Sequence, residues 1–384
     1  MVIIEFIFWI CLFTVFYSYI GYIGLLWLLG FFMDDPVKKE AISLSVSLVI
    51  SVYNEGNVLA EKIENSLGLD YPANLIEIAV ISDGSTDNTN NIINEYAKRD
   101  SRIMPCIAEK NKGKTPCLNE FVPKLKGDII IFSDANSFYP EDLCKNIAAS
   151  FADDRIGFVT GSTKYFSSYG NRTEDVTSLY ARVDRYIKFL ESKIGSCVGA
   201  DGAVFAIRKA LFTPLESYDI NDFVIPMQIV KKGFRGVLEE SAFCEEKVSR
   251  NIQNEFLRQV RITNRTLRAI FNYKLLLNPF YYPLFSFELL SHKLLKFLSP
   301  FLLIIIFILN AMLISNNHIL YKAIFIFQIL FYLSVIMCGR KKGWGIIGKV
   351  ATSGYAFVLV NAAYILGWYK YLRGETYTAW LPNR

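Results

Sequence analysis

Histidine is almost missing from this 384-residue chain. Only His292 and His318 occur, which excludes a zinc site built from several imidazoles. The seven cysteines, at 11, 106, 117, 144, 197, 244 and 338, form no CxxC pair and are odd in number. A disulfide framework is therefore not expected, and reduced cytosolic thiols are the simpler reading. A strong charge of one sign is lacking too. The formal net charge is +5, and the lysines and arginines make no stripe with interleaved aromatics, so no nucleic-acid partner is expected. A mild positive balance suits an anionic membrane surface instead. A cleaved signal peptide is also disfavoured, because the first apolar stretch is too long, opens with an acid, Glu5, and runs into no small-residue cleavage site.

What the chain does have is grease. Hydrophobic residues make up 52% and aromatics 15%, yet 20% of residues are charged, a mixture that predicts a soluble domain joined to membrane segments. Residues 3–33 carry no charge except Glu5 and are long enough to span a bilayer. Lys38 and Lys39 follow, placing the next domain in the cytoplasm by the positive-inside rule. Apolar composition returns after 275. Residues 276–292, interrupted by Pro279 and Pro283, read as an interfacial helix, and spans are predicted at 297–316, 319–337 and 346–368. The basic loop Arg340-Lys341-Lys342 predicts a cytoplasmic turn, whereas three crossings put Lys370, Arg373 and Arg384 outside. Charge and crossing count thus disagree for the last helix.

The intervening region reads as alternating strands and helices. Residues 44–53, 76–82 and 129–132 are apolar, β-branched runs of the kind that form buried parallel strands. Helical patterns fill 57–68 and run from about 87 to 97. This βαβ spacing predicts a doubly wound α/β sheet, in which ligands bind beyond the carboxyl ends of the strands. Asn54-Glu55-Gly56, Asp83-Gly84-Ser85-Thr86-Asp87 and Asp134-Ala135-Asn136 all fall there. An Asp at such a tip can accept from a base N–H or a ribose hydroxyl. Asp134 and Asn136, at i and i+2, can point two oxygens at one hard cation and, through it, at a diphosphate. Each motif alone is equally a turn, for which Asp, Asn and Ser are locally favoured.

Further along, Lys112-Gly113-Lys114 can present ammonium charge to phosphate or be a solvated loop. Residues 160–200 read as irregular, with a charged helical stretch over 175–193. Gly199-Ala200-Asp201-Gly202 precedes a strand at 204–207 and a helix opening near Arg208, and two glycines beside an acid permit close approach to a ligand or a simple turn. Asn221 or Asp222 would cap a helix over 223–232 ended by Gly233. Arg258, Arg261, Arg265 and Arg268 fall on one helical face, able to clamp a diphosphate, lie on lipid, or stay solvated.

Taken together, Val52-Tyr53-Asn54-Glu55, Asp83 to Asp87, Lys112 to Lys114, Ser133 to Asn136 and Asn221-Asp222 resemble family 2 glycosyltransferases with the GT-A fold. The likeness is to the membrane branch that includes hyaluronan, chitin, cellulose and poly-N-acetylglucosamine synthases, and it covers residues 44–270. It implies that Asp83 contacts the uracil of a UDP-sugar, with Glu55 and Lys114 near the nucleotide. Asp134 matches the first acid of the DxD motif that holds Mg²⁺ or Mn²⁺ on the diphosphate. Asn136 replaces the second acid and removes one negative charge. Asp201 falls in the region that lines the sugar cleft. Asp222 matches the catalytic base, which takes the acceptor hydroxyl's proton in a single inverting displacement. Arg258 and Arg261 align with QxxRW as its Gln and Arg, while Ile262 replaces the Trp and removes a stacking surface for the acceptor sugar.

The expected layout is a transmembrane helix over 1–36, a cytosolic GT-A domain over 37–274, an interfacial helix over 275–293, about three spans over 294–372 and a tail over 373–384. The expected activity is transfer from a nucleotide sugar to a growing polysaccharide or a lipid-linked saccharide, in a multi-pass membrane protein. So few spans would need a homo-oligomer to form a polymer channel. The rival readings are a sugar-nucleotide sensor without turnover, a single-addition transferase, and a transporter with a regulatory domain. The transporter reading predicts ionisable residues inside the spans. Between 297 and 337 only His318 and Lys322 occur, both near span ends.

Overall fold

The computed structural model describes residues 1–166, 172–247, 252–316, 318–338 and 345–378. The basic loop at 340–342 and the terminal Arg384 lie outside them. Seven strands form one sheet, in the order β3-β2-β1-β4-β6-β5-β7. They are β1 (Val46–Val52), β2 (Ile76–Ser82), β3 (Ile103–Ile107), β4 (Ile129–Asp134), β5 (Ile156–Phe166), β6 (Val204–Arg208) and β7 (Arg235–Lys247). The first four are parallel, as the βαβ spacing predicts. β6 runs antiparallel to both β4 and β5.

Each central strand buries both faces, which is why its sequence is an unbroken apolar run. Val49, Ala79, Ile81, Ile130 and Phe132 enter one core, while Leu48, Ile50, Ile78, Val80, Ile129 and Ile131 enter the other. Phe132 on β4 stacks on Phe205 of β6, ring centroids 4.6 Å apart.

Three features depart from the sequence reading. The start of the stretch expected to be irregular belongs to β5, while the helical stretch expected over 175–193 lies in the helix Arg172–Ile194. The helix expected near Arg208 is a single 3₁₀ turn, Lys209–Leu211. The helix that starts at Pro283 continues to Leu313, so the stretch expected to lie at the interface and the first expected span share one helix. The later helices are Ile319–Cys338 and Gly345–Leu372. Among the described residues, Val2–Leu29 and Pro283–Leu313 are long and apolar enough to cross a membrane.

These helices are docked on the sheet rather than tethered to it. Phe285, Leu289, Phe297 and Tyr364 belong to the same core as β4 and β6. The N-terminal helix is pinned by polar side chains, which find partners when surrounded by apolar surface. Tyr22 Oη donates to Glu191 Oε1 at 2.9 Å, and Tyr19 Oη lies 3.0 Å from Ser299 Oγ. At the exit of that helix Asp35 accepts from Arg155 (2.9 Å) and Arg235 (2.6 Å).

Candidate active site

The loops beyond β1 and β2 hold each other in place. Asn54 adopts φ +54°, a left-handed conformation that Asn tolerates better than most residues. Its Oδ1 accepts from Thr86 N at 2.8 Å, and its own N–H donates to Ser85 Oγ. Glu55 N donates to Thr89 Oγ1 and Gly56 N to Asp87 Oδ2. Gly84 (φ +65°) lets the chain at Lys110 and Asn111 cross directly above it, because a Cβ there would lie 2.4 Å from Asn111 N. Asp83 is buried. Its two carboxylate oxygens accept from Lys112 N (2.8 Å) and Gly113 N (2.9 Å), fixing the lysine loop beside the strand tips.

Lys114 opens the helix Lys114–Phe121, and its Nζ lies 2.6 Å from Asp134 Oδ1 at the end of β4. Asn136 is exposed on the same turn. Asp222 stands in the first turn of the helix Asn221–Lys231, capped by Ile220 rather than by either polar residue. Its Oδ1 is buried with no hydrogen-bond partner among the described residues. Burial, with Asp134 and Asp201 adding to it, holds this carboxyl above the usual range, against the opposing pull of Lys114 and Arg265. Asp201 lies beside it, and its carboxylate accepts from Thr163 N and Oγ1 (both 2.9 Å) and Ala203 N (3.1 Å), which joins β5 to the turn before β6.

The four arginines of the helix Ile252–Asn272 divide their work. Arg258 pairs with Glu255 at 3.1 Å. Burial and the neighbouring Arg258 push Arg261 down. Arg265 donates to the carbonyls of Tyr218 (2.8 Å) and Asp219, bracing the loop that leads to Asp222. Arg268 donates to Glu375 O at 2.9 Å, tying down the segment after the last helix. Asp222, Asp201, Arg258 and Ile262 all line a cavity of about 580 Å³, whose far walls are the apolar helices.

Residues 47–212, which contain the strand-tip motifs, match the family description "Glycosyl transferase family 2". That stretch is similar to the family 2 glycosyltransferases. The poly-beta-1,6-N-acetyl-D-glucosamine synthase of Staphylococcus aureus (strain MSSA476) is 24% identical over 233 residues, 58% of this chain and 56% of that protein. The synthase of the same name from Staphylococcus epidermidis is 24% identical over 265 residues, 62% of each. The chain thus spans less than two thirds of these curated relatives. A mannosyltransferase from Pyrobaculum calidifontis, solved with GDP-Man and Mn²⁺, superposes with a TM-score of 0.72 at 17% identity, covering 97% of this chain and 99% of that one. The fold of this chain is therefore GT-A.

Two residues of the glycosyltransferase site escaped the sequence reading. Lys62, fully buried, donates Nζ to Ser137 O and sits 3.6 Å from the Tyr139 ring centroid. Burial pushes it down to about 7. Glu246, at the end of β7, accepts from Ser137 Oγ, and burial, then Asp134, push it up to about 7. Together they brace the turn that carries Asp134 and Asn136. Among the described residues no three His, Cys, Asp or Glu side chains gather as a metal cage. Asp134 and Asn136 fit a hard cation that takes its other ligands from a diphosphate and water, the usual arrangement for Mg²⁺.

Proposed function

We propose that this glycosyltransferase is a membrane-embedded, inverting enzyme that uses a UDP-sugar and faces the cytosol, with Asp222 as its general base. The observation that carries the reading is the buried Oδ1 of Asp222, without a hydrogen-bond partner among the described residues, on the wall of a cavity running between the sheet and the apolar helices. An acceptor hydroxyl there would give its proton to Asp222 as its oxygen attacks the anomeric carbon, and the nucleoside diphosphate would leave from the opposite face. An α-linked donor then gives a β-linked product. The divalent cation, when bound, neutralises charge on the departing diphosphate. Asp134 and Asn136 would hold it, and Lys114 would hold phosphate. Asp83 and Glu55 would contact the nucleotide, Asp201 the sugar, and Arg258 and Arg261 the diphosphate. The relatives' names support a saccharide product, and Ile262 in the cavity supports a short one. Membranes carrying the protein, given radiolabelled UDP-sugars with Mn²⁺, are expected to incorporate label only when Asp222 is present. Preferential use of GDP-sugars would overturn the donor assignment.

The Lys114–Asp134 contact adds a prediction. With the ammonium at 2.6 Å, Asp134 is already neutralised, so Mn²⁺ should bind weakly until a diphosphate draws Lys114 away. Mn²⁺ binding followed by electron paramagnetic resonance is expected to tighten by about tenfold or more when UDP is added, one decade being about 1.4 kcal/mol. Lys114→Met should bind Mn²⁺ alone more tightly than the parent and lose most of the gain from UDP. Equal Mn²⁺ affinity with and without UDP in the parent would refute this.

A further inference from the structure

Among the described residues, the cavity next to Asp222 contains one cation without an acid of its own. Its lining cations are Arg185, Lys188, Arg258, Lys293 and Lys296. Four of them have acids of their own. Lys188 and Lys293 share Asp184, at 2.8 and 3.7 Å. Arg258 has Glu255 at 3.1 Å and Arg185 has Glu240 at 3.6 Å. Among the described residues Lys296 has neither an ion pair nor a side-chain hydrogen bond, only the longer-range attraction of Asp184 and Glu191, although it is only 9% exposed. A buried ammonium without a partner is costly enough that it normally marks a site where something supplies the missing charge.

Its surroundings narrow what that something is. Lys296 lies on the helix Pro283–Leu313, followed at once by Phe297, and faces the same cavity as Tyr19, Val360 and Tyr364 from the other apolar helices. The same cavity reaches Gly202 and Asp222. Its volume, about 580 Å³, is that of a small-molecule site. An apolar wall, an ammonium held in no ion pair and a base on the same cavity suit a ligand with three matching parts.

We infer that Lys296 holds the phosphate of the acceptor, a saccharide joined through phosphate to a lipid. This rests on the transferase reading above and names the acceptor class for that same site. The lipid chain lies along the apolar helices and the phosphate pairs with Lys296. A sugar hydroxyl then reaches Asp222, its oxygen bonding to the donor's anomeric carbon while the bond to the diphosphate breaks and the proton passes to Asp222.

The test uses the full chain in phosphatidylcholine nanodiscs, titrated with dodecyl phosphate, dodecyl β-glucoside and inorganic phosphate, with UDP binding measured on every sample. Dodecyl phosphate is expected to bind at least about tenfold more tightly than dodecyl β-glucoside, a difference of about 1.4 kcal/mol. Lys296→Met should abolish that preference and Lys296→Arg retain it, with UDP binding unchanged in both. A preference that survives Lys296→Met overturns the inference, as does equal binding of the two lipids, which would mark a neutral acceptor such as a growing polymer. Inorganic phosphate binding as tightly as the alkyl phosphate would mark a free-anion site and overturn it too. Loss of UDP binding in the parent protein would instead undo the donor reading, so the two failures are distinguishable.

Discussion

Asp222→Asn is expected to lower kcat by about 10²–10⁴-fold, the range for loss of a general base, while leaving the affinity for the nucleotide sugar nearly unchanged. The amide matches the carboxylate in shape, and Ala200 N bonds to the backbone oxygen of residue 222 at 2.8 Å, not to its side chain, so the helix start should persist. The pH profile separates a base from a merely structural acid. Burial, with Asp134 and Asp201, raises this carboxyl, and the base acts only when ionised. The acidic limb of kcat should therefore fall at higher pH than an ordinary carboxylate would give, and it should vanish in the variant. Stability should move the opposite way. A folded-state value above the unfolded one means that the protonated form is favoured by folding, so stability declines as pH rises through the folded value. Asp222→Asn escapes that decline. Its thermal midpoint should exceed the parent's at alkaline pH, and the gap should close as pH falls below the unfolded carboxyl range. A variant with lower midpoints across the whole pH range would show that Asp222 is a structural acid.

How much of this was legible beforehand depended on how local the cause was. β1, β2 and β4 stood out because burial on both faces leaves an unbroken apolar run, and the acids at their ends followed from that. β7 was illegible because Glu239, Glu240, Glu245 and Glu246 interrupt its apolar pattern, and its place is set by pairing with a strand about 80 residues away, Ser162 opposite Phe243. β5, with Gly157, Thr160, Gly161, Ser162 and Thr163, reads like turn material until that pairing is known. Lys62 shows the same limit at a single residue. On the helix Leu59–Leu67 it reads as a solvent-facing charge, and only the carbonyl of Ser137 and the ring of Tyr139, both far along the chain, explain its burial. Asp201 was legible as an acid near the cleft. Thr163, the partner that occupies it, comes from the strand that the sequence hid.

Gly202→Ala carries the second large effect, because it disturbs Asp222 without touching its chemistry. A Cβ at 202 would sit 2.6 Å from Asp222 Oδ2 and 3.4 Å from its Cγ, well inside contact distance. The backbone at 202 is not in the left-handed region that demands glycine, so alanine itself is tolerated and the carboxylate is what must move. Misplacing a catalytic group by about 1 Å can cost about 10²-fold in rate, and a loss of that order in kcat is expected, with donor affinity and the thermal midpoint close to the parent's. The decisive measurement is the double variant. Once residue 222 is Asn there is no base left to misplace, so adding Gly202→Ala should cost almost nothing further. Two variants that act through one group are non-additive in this way. If the effects multiplied instead, Gly202 would be acting on the acceptor or on the fold, and the carboxylate's position would not be what the glycine protects.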